Sequence, residues 1–124
     1  MLTTTQQVFD KVAVHLLTQN EQSMNPSGAF CKYRGANGLS CAVGCLVDDK
    51  YYDPQMEDKS PNCIEVMKVL RHTVDIDNHG ISSLLNELQL LHDGHEPKEW
   101  FWGLASLAKE FGLSTTILLK HQGY

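Results

Sequence analysis

The sequence predicts a mainly α protein: a compact bundle of about five helices forming one domain over residues 1–124. Two observations lead there. Apolar residues recur at helical spacing in successive stretches, separated by breaks rich in Pro, Gly and Asn. Capping and proline signals stand at the heads of those stretches, and a glycine stop closes the last strong one. At 124 residues the chain can bury a core without disulfide staples, and it shows no internal repeat, low-complexity tract or linker.

The first helix is expected over residues 4–18. Val8, Phe9, Val12, Ala13, Leu16 and Leu17 form one apolar stripe, and Thr4 with Gln7 fits a capping box. Residues 20–29, NEQSMNPSGA, read as a connecting loop. Residues 30–33 are extended in character, and Gly35-Ala36-Asn37-Gly38 supplies the positive-φ positions of a tight turn. Two readings of residues 30–40 stand side by side: a small β-hairpin, or a turn leading straight into a helix. Ser40 is a suitable N-cap for that helix, which would run from Cys41 to about Asp49 and end at Tyr51-Tyr52-Asp53-Pro54.

A further helix is expected over 60–72, with Ser60 as cap, Pro61 in the first turn, and Cys63, Val66, Met67 and Leu70 inward. DIDNHG at 75–80 is a break. From Ile81 the pattern Leu84, Leu85, Leu88, Leu91 gives the next helix, ending near Gly94. Pro97 opens the last strong helix, striped by Trp100, Phe101, Leu104, Leu107, Ala108 and Phe111, with Gly112 as its left-handed stop. The tail LSTTILLKHQGY reads as a short helix or an extended piece.

Composition narrows the function classes. Net charge is −5, which argues against direct nucleic-acid binding, since that requires a basic face. The imbalance is also too mild for a DNA mimic. No apolar run is long enough to span a membrane. The N-terminal MLTTTQQVFDKVAVHLL lacks the basic start, apolar block and cleavage site of a signal peptide, so a cytoplasmic protein with free thiols is expected.

Three cysteines crowd CKYRGANGLSCAVGCLVDDKYYDP, residues 31–54. Cys41 and Cys45 would share one face of a helix, with Cys31 across the turn. Zinc could use three thiolates plus a histidine or Cys63, but there is no Cys-x-x-Cys pair, and Ala42, Val43 and Gly44 describe a close-packed segment in which cysteine serves as a small hydrophobe. Cys31, Cys41 and Cys45 are therefore secondary metal or thiol candidates beside a structural reading, and no cofactor is expected.

Asp75, Asp77 and Gly80 imitate the start of a calcium loop, but His79 and Asn86 occupy positions that need oxygen-rich ligands, so a helix-joining turn is expected. His92-Asp93 resembles half of a metal-phosphohydrolase motif, yet no aspartate follows Asp93; Asp93 and Glu96 sit just ahead of the helix opened by Pro97, where capping and turn formation explain them. There is no Gly-x-Ser-x-Gly elbow and no phosphate loop.

The surface candidates are clearer. Asp48, Asp49, Asp53, Glu57 and Asp58 gather in a short stretch that reads as a solvated loop or as an acidic surface for a basic partner. Arg34, beside Tyr33 and the Asn37 turn, suits directional recognition of a carboxylate or phosphate; an ion pair within the domain is the other use. Trp102 is rotated about 100° from the core-facing Phe101 and suits an interface anchor. The expected binding residues are Tyr33, Arg34, Asn37, Asp48, Asp49, Tyr52, Asp53 and Trp102.

LTQNEQS at 17–23, the stretch from Cys31 to Glu57, LQLLHD at 88–93 and EWFWGLASLAKEFGL at 99–113 together resemble a family of small proteins common in tailed-bacteriophage genomes. The most distinctive part is Tyr33-Arg34-Gly35 through Asn37-Gly38-Leu39, then Cys41-Ala42-Val43-Gly44. The resemblance brings no activity and no catalytic residue. It implies a phage accessory protein in the cytoplasm of an infected bacterium, binding and inhibiting or redirecting a host protein, with defence complexes such as CRISPR systems as one target class. Two alternatives stand beside it: a metal- or thiol-dependent small enzyme centred on Cys31, Cys41 and Cys45, and a protein that sequesters a small ligand or nucleotide at the glycine turn and the N-terminus of the Cys41 helix.

Overall fold

The computed structural model describes residues 1–28 and 31–120. The chain is mainly helical, with α1 at Thr5–Gln19, α2 at Ile64–Leu70, α3 at His79–Gly94, α4 at Trp100–Phe111 and α5 at Thr116–Leu119. Among the described residues there is no sheet, only isolated bridges: Leu2 with Val74, Met24 with Cys31, and Arg34 with Ser40. No described helix is long and apolar enough to cross a membrane.

α1 begins as its sequence signals require. The Thr4 side chain accepts from Gln7 N, and the Gln7 side chain accepts from Thr4 N, closing the capping box. Its stripe of Val8, Phe9, Val12, Ala13 and Leu16 is fully buried. α1 packs against α3, α4 and α5, and α3 against α4, so the core lies between these helices. α3 is capped by Asn78, whose side chain accepts from Gly80 N, and buries Ile81, Leu84, Leu85, Leu88 and Leu91. Asp77 of the same break pairs with Arg71 at 3.1 Å. A 3₁₀ turn at Pro97–Glu99, with a Glu96/Glu99 capping box, leads into α4. α4 stops at Gly112, which adopts φ 67°, while Leu113 N reaches back to Ala108 O.

Two expected elements form differently. The helix expected over Cys41–Asp49 is only a 3₁₀ turn at Gly44–Leu46. Gly44 is pressed so closely on the Tyr33 carbonyl that a Cβ there would collide with it, and Arg34 takes the carbonyls of Gly44 and Val47. Tertiary partners thus use the groups a helix would have paired internally. Ser40 bridges to Arg34 instead of capping. The helix expected from Ser60 starts at Ile64, with a turn from Ser60 to Cys63 ahead of it and Pro61 buried.

At 34–40 the hairpin reduces to one bridge around a 3₁₀ turn, Ala36–Gly38, in which Asn37 and Gly38 take φ of 61° and 76°. The parts of the sequence reading that fall on residues 29, 30 and 121–124 lie outside the described residues. The tail before them contains α5.

Candidate functional site

The surface expected from the sequence joins Tyr33 and Arg34 to the acidic stretch 48–58, and these segments do meet. Glu57 is the fastener. Its carboxylate accepts from Tyr33 N at 2.8 Å, Arg34 N at 3.1 Å and the Tyr52 hydroxyl at 2.6 Å. Lys32 pairs with Asp58 at 2.9 Å. The Arg34 guanidinium donates to Gly44 O, to Val47 O at 2.7 Å and to Asp49 Oδ1 at 2.8 Å, and lies 5.3 Å from the Tyr52 ring centroid. Tyr51 stacks flat on His72 at 3.6 Å, which fixes the same stretch to the end of α2.

The individual residues divide into supports and exposed groups. Tyr33 is a core residue at 4% exposure, its hydroxyl donating to Lys59 O, so it holds the surface from beneath. Burial raises its pKa above the ordinary phenol value, and burial with donation to Glu57 does the same for Tyr52. Arg34 is three-quarters covered and spent on internal acceptors. Asp53 caps the 3₁₀ turn at Pro54–Met56. Asp48 is exposed, with Oδ1 accepting from Lys50 N, and the Asp49 side chain is 95% exposed despite its pairing. Asn37 is exposed at the tip of its turn. Trp102 stands on α4, away from these fastenings, 70% exposed.

An open cleft of about 480 Å³ adjoins this surface, bounded by His15, Arg34, Gly38, Ser40, Cys45 and Asp49. His15 Nε2–H donates to Ser40 O at 2.8 Å, and burial lowers the pKa of the ring below 6.5. The helix N-terminus that would have offered amides to an anion here does not form. Val43 N donates to Gln89 Oε1, and Gly44 N to Cys41 Sγ.

The three cysteines are not gathered. The Cys45 thiol donates to Ala42 O, and burial pushes its pKa up to about 12. Cys41 is fully buried and its pKa is raised by that burial. Cys31 lies instead near His92 and Asp93; among the described residues, this is the group whose metal-capable atoms fall within 4.8 Å of one another. The spacing in sequence held no sign of it.

Its chemistry is decided by a tautomer. Ser23 N donates to His92 Nε2 at 3.0 Å, so Nε2 carries no proton. The proton sits on Nδ1, which donates to Asp93 Oδ1 at 2.7 Å. A cation among the three would have to displace that proton and break the His92–Asp93 hydrogen bond, because Nε2 is taken by Ser23 N. Cys31 has its thiol pKa pushed up to about 11 by burial and by the Asp93 carboxylate. This is the wrong direction for a nucleophile.

The cluster acts as a brace. Gln89 Nε2 donates to Asp93 Oδ1 at 3.0 Å, and the Ser23 hydroxyl donates to Lys32 O at 2.7 Å. A continuous hydrogen-bonded chain therefore ties α3 to Ser23, Lys32 and Val43. Asp93 and His92 belong to this chain, while Glu96 alone of the sequence-expected caps heads the Pro97 turn.

Comparison with protein-family models, curated proteins and solved structures gave no match.

Proposed function

We propose that the protein is a non-enzymatic phage accessory protein that binds a basic surface of a host bacterial protein and inhibits or redirects it. One observation carries this reading. Glu57 and the Arg34 guanidinium fasten two chain segments into a single surface on which the carboxylates of Asp48 and Asp49 are exposed. Those acids sit on a braced backbone, so little ordering entropy opposes binding. Exposed carboxylates of one sign steer a basic partner and set specificity. The other reactive groups support the same reading: the Cys31, Cys41 and Cys45 thiols are held in the neutral form, and both His92 nitrogens are engaged.

The experiment is capture of partners from bacterial lysate by the tagged protein, with Asp48→Lys/Asp49→Lys alongside. The expected result is one complex held by wild type, released by salt, and lost by the variant at unchanged melting temperature. Retention that ignores both salt and charge reversal, or a folded protein that retains nothing, refutes the reading.

A further inference from the structure

A groove runs along the outer seam of α3 and α4. Two adjoining hollows of about 530 and 330 Å³ share Leu91, His95, Gly103 and Ser106. One extends to Trp102 and Glu99, the other to Leu90 and Glu87. Trp102 is 70% exposed and Leu90 62%, although α4 buries its own apolar face through Trp100, Leu104, Leu107 and Ala108. The Trp102 ring is set edge-on against Phe101 at 5.1 Å, which holds it in place. At the floor Gly103 lies directly against Leu91; a Cβ there would strike the Leu91 side chain. A large exposed aromatic beside an open apolar floor has the make-up of an interface anchor.

The rim identifies the occupant. Lys98 is paired with Glu96 at 3.2 Å, and His95 faces Glu99 at 3.8 Å. Glu87 stands at the other end. Of the groups that line the hollows, Glu87 and Glu99 are carboxylates, and the one lysine, Lys98, is paired with Glu96, which lines neither hollow. A second copy of this chain would bring the same acidic rim and its own net charge of −5.

We infer that the α3/α4 seam is a docking groove for a basic amphipathic helix of a partner protein. Apolar anchors at i, i+3, i+4 and i+7 would lie along Leu90, Leu91 and Trp102, with lysines or arginines over Glu87 and Glu99. This inference is independent of the acidic face at 48–58.

The test uses a synthetic helix with leucines at i, i+3, i+4 and i+7 and lysines elsewhere, and its twin with glutamates for lysines. Amide and indole NMR shifts report the site. Tryptophan emission reports burial of Trp102, since Trp100 is already fully buried. The lysine peptide should perturb Leu90, Trp102, Gly103 and Ser106 and shift the emission to the blue; the glutamate peptide should not. Trp102→Ala and Leu90→Ser should each weaken binding at least about tenfold without changing the melting temperature, as expected for exposed anchors. Glu87→Lys should weaken the lysine peptide and strengthen its twin. Three results overturn the inference: shifts confined to residues 48–58, affinity unchanged in Trp102→Ala, or the same groove amides moving with protein concentration alone, which would make the occupant a second copy.

Discussion

Replacing Arg34 with alanine separates a structural guanidinium from a recognition group. The substitution strips a charged donor from Gly44 O and Val47 O, and removes the Asp49 pair. A hydrogen bond to a charged group contributes about 1.5–3 kcal/mol. Water can replace part of that because the Arg34 side chain is 25% exposed. The two carbonyl bonds then amount to about 2–4 kcal/mol. The Asp49 pair adds about 0–1 kcal/mol, since its carboxylate is bathed in solvent. For a chain of 124 residues this lowers the melting temperature by about 10 °C. Thermal unfolding followed by circular dichroism measures it. Arg34→Lys should fall between, because one ammonium cannot span both carbonyls. Asp49→Ala should melt close to wild type. An Arg34→Ala variant melting within about 2 °C of wild type would refute the brace, being far below the shift expected for two charged bonds.

Three other outcomes follow from the same contacts. Gly44→Ala should destabilise by about 1–3 kcal/mol or more in chemical denaturation, because its Cβ meets the Tyr33 backbone. Cys41 and Cys45 should resist a thiol reagent at pH 8 until the protein unfolds, since burial raises both pKa values, that of Cys45 to about 12. His15 has a folded pKa below its ordinary 6.5, so the unfolded chain binds the proton more readily. Its contribution to stability is present above pH 6.5 and is lost as pH falls through the folded value. His15→Gln should therefore flatten the acid limb of a stability–pH curve, and an unchanged limb would remove His15 as its cause.

The helical elements could be read where the signal was local. Thr4 and Gln7 close the capping box their spacing announced, and Gly112 takes the left-handed stop. Trp102 stands outward on α4, where the 100° step past Phe101 placed it. Local signals failed at Cys41–Asp49, because the deciding contacts come from Tyr33 and Arg34, outside any helical window. The meeting of Cys31 with His92 and Asp93 has the same origin, as does the triple use of Glu57. Only the folded chain sets such long-range partners.

The most direct test of the acidic face at 48–58 is the affinity of the captured, purified partner across a salt series, for wild type and for Asp48→Lys/Asp49→Lys. Wild-type affinity should fall steeply as salt rises, and the variant should bind at least about tenfold more weakly at low salt. An affinity that is flat with salt and equal in the variant would contradict the account and place the working surface elsewhere on the molecule.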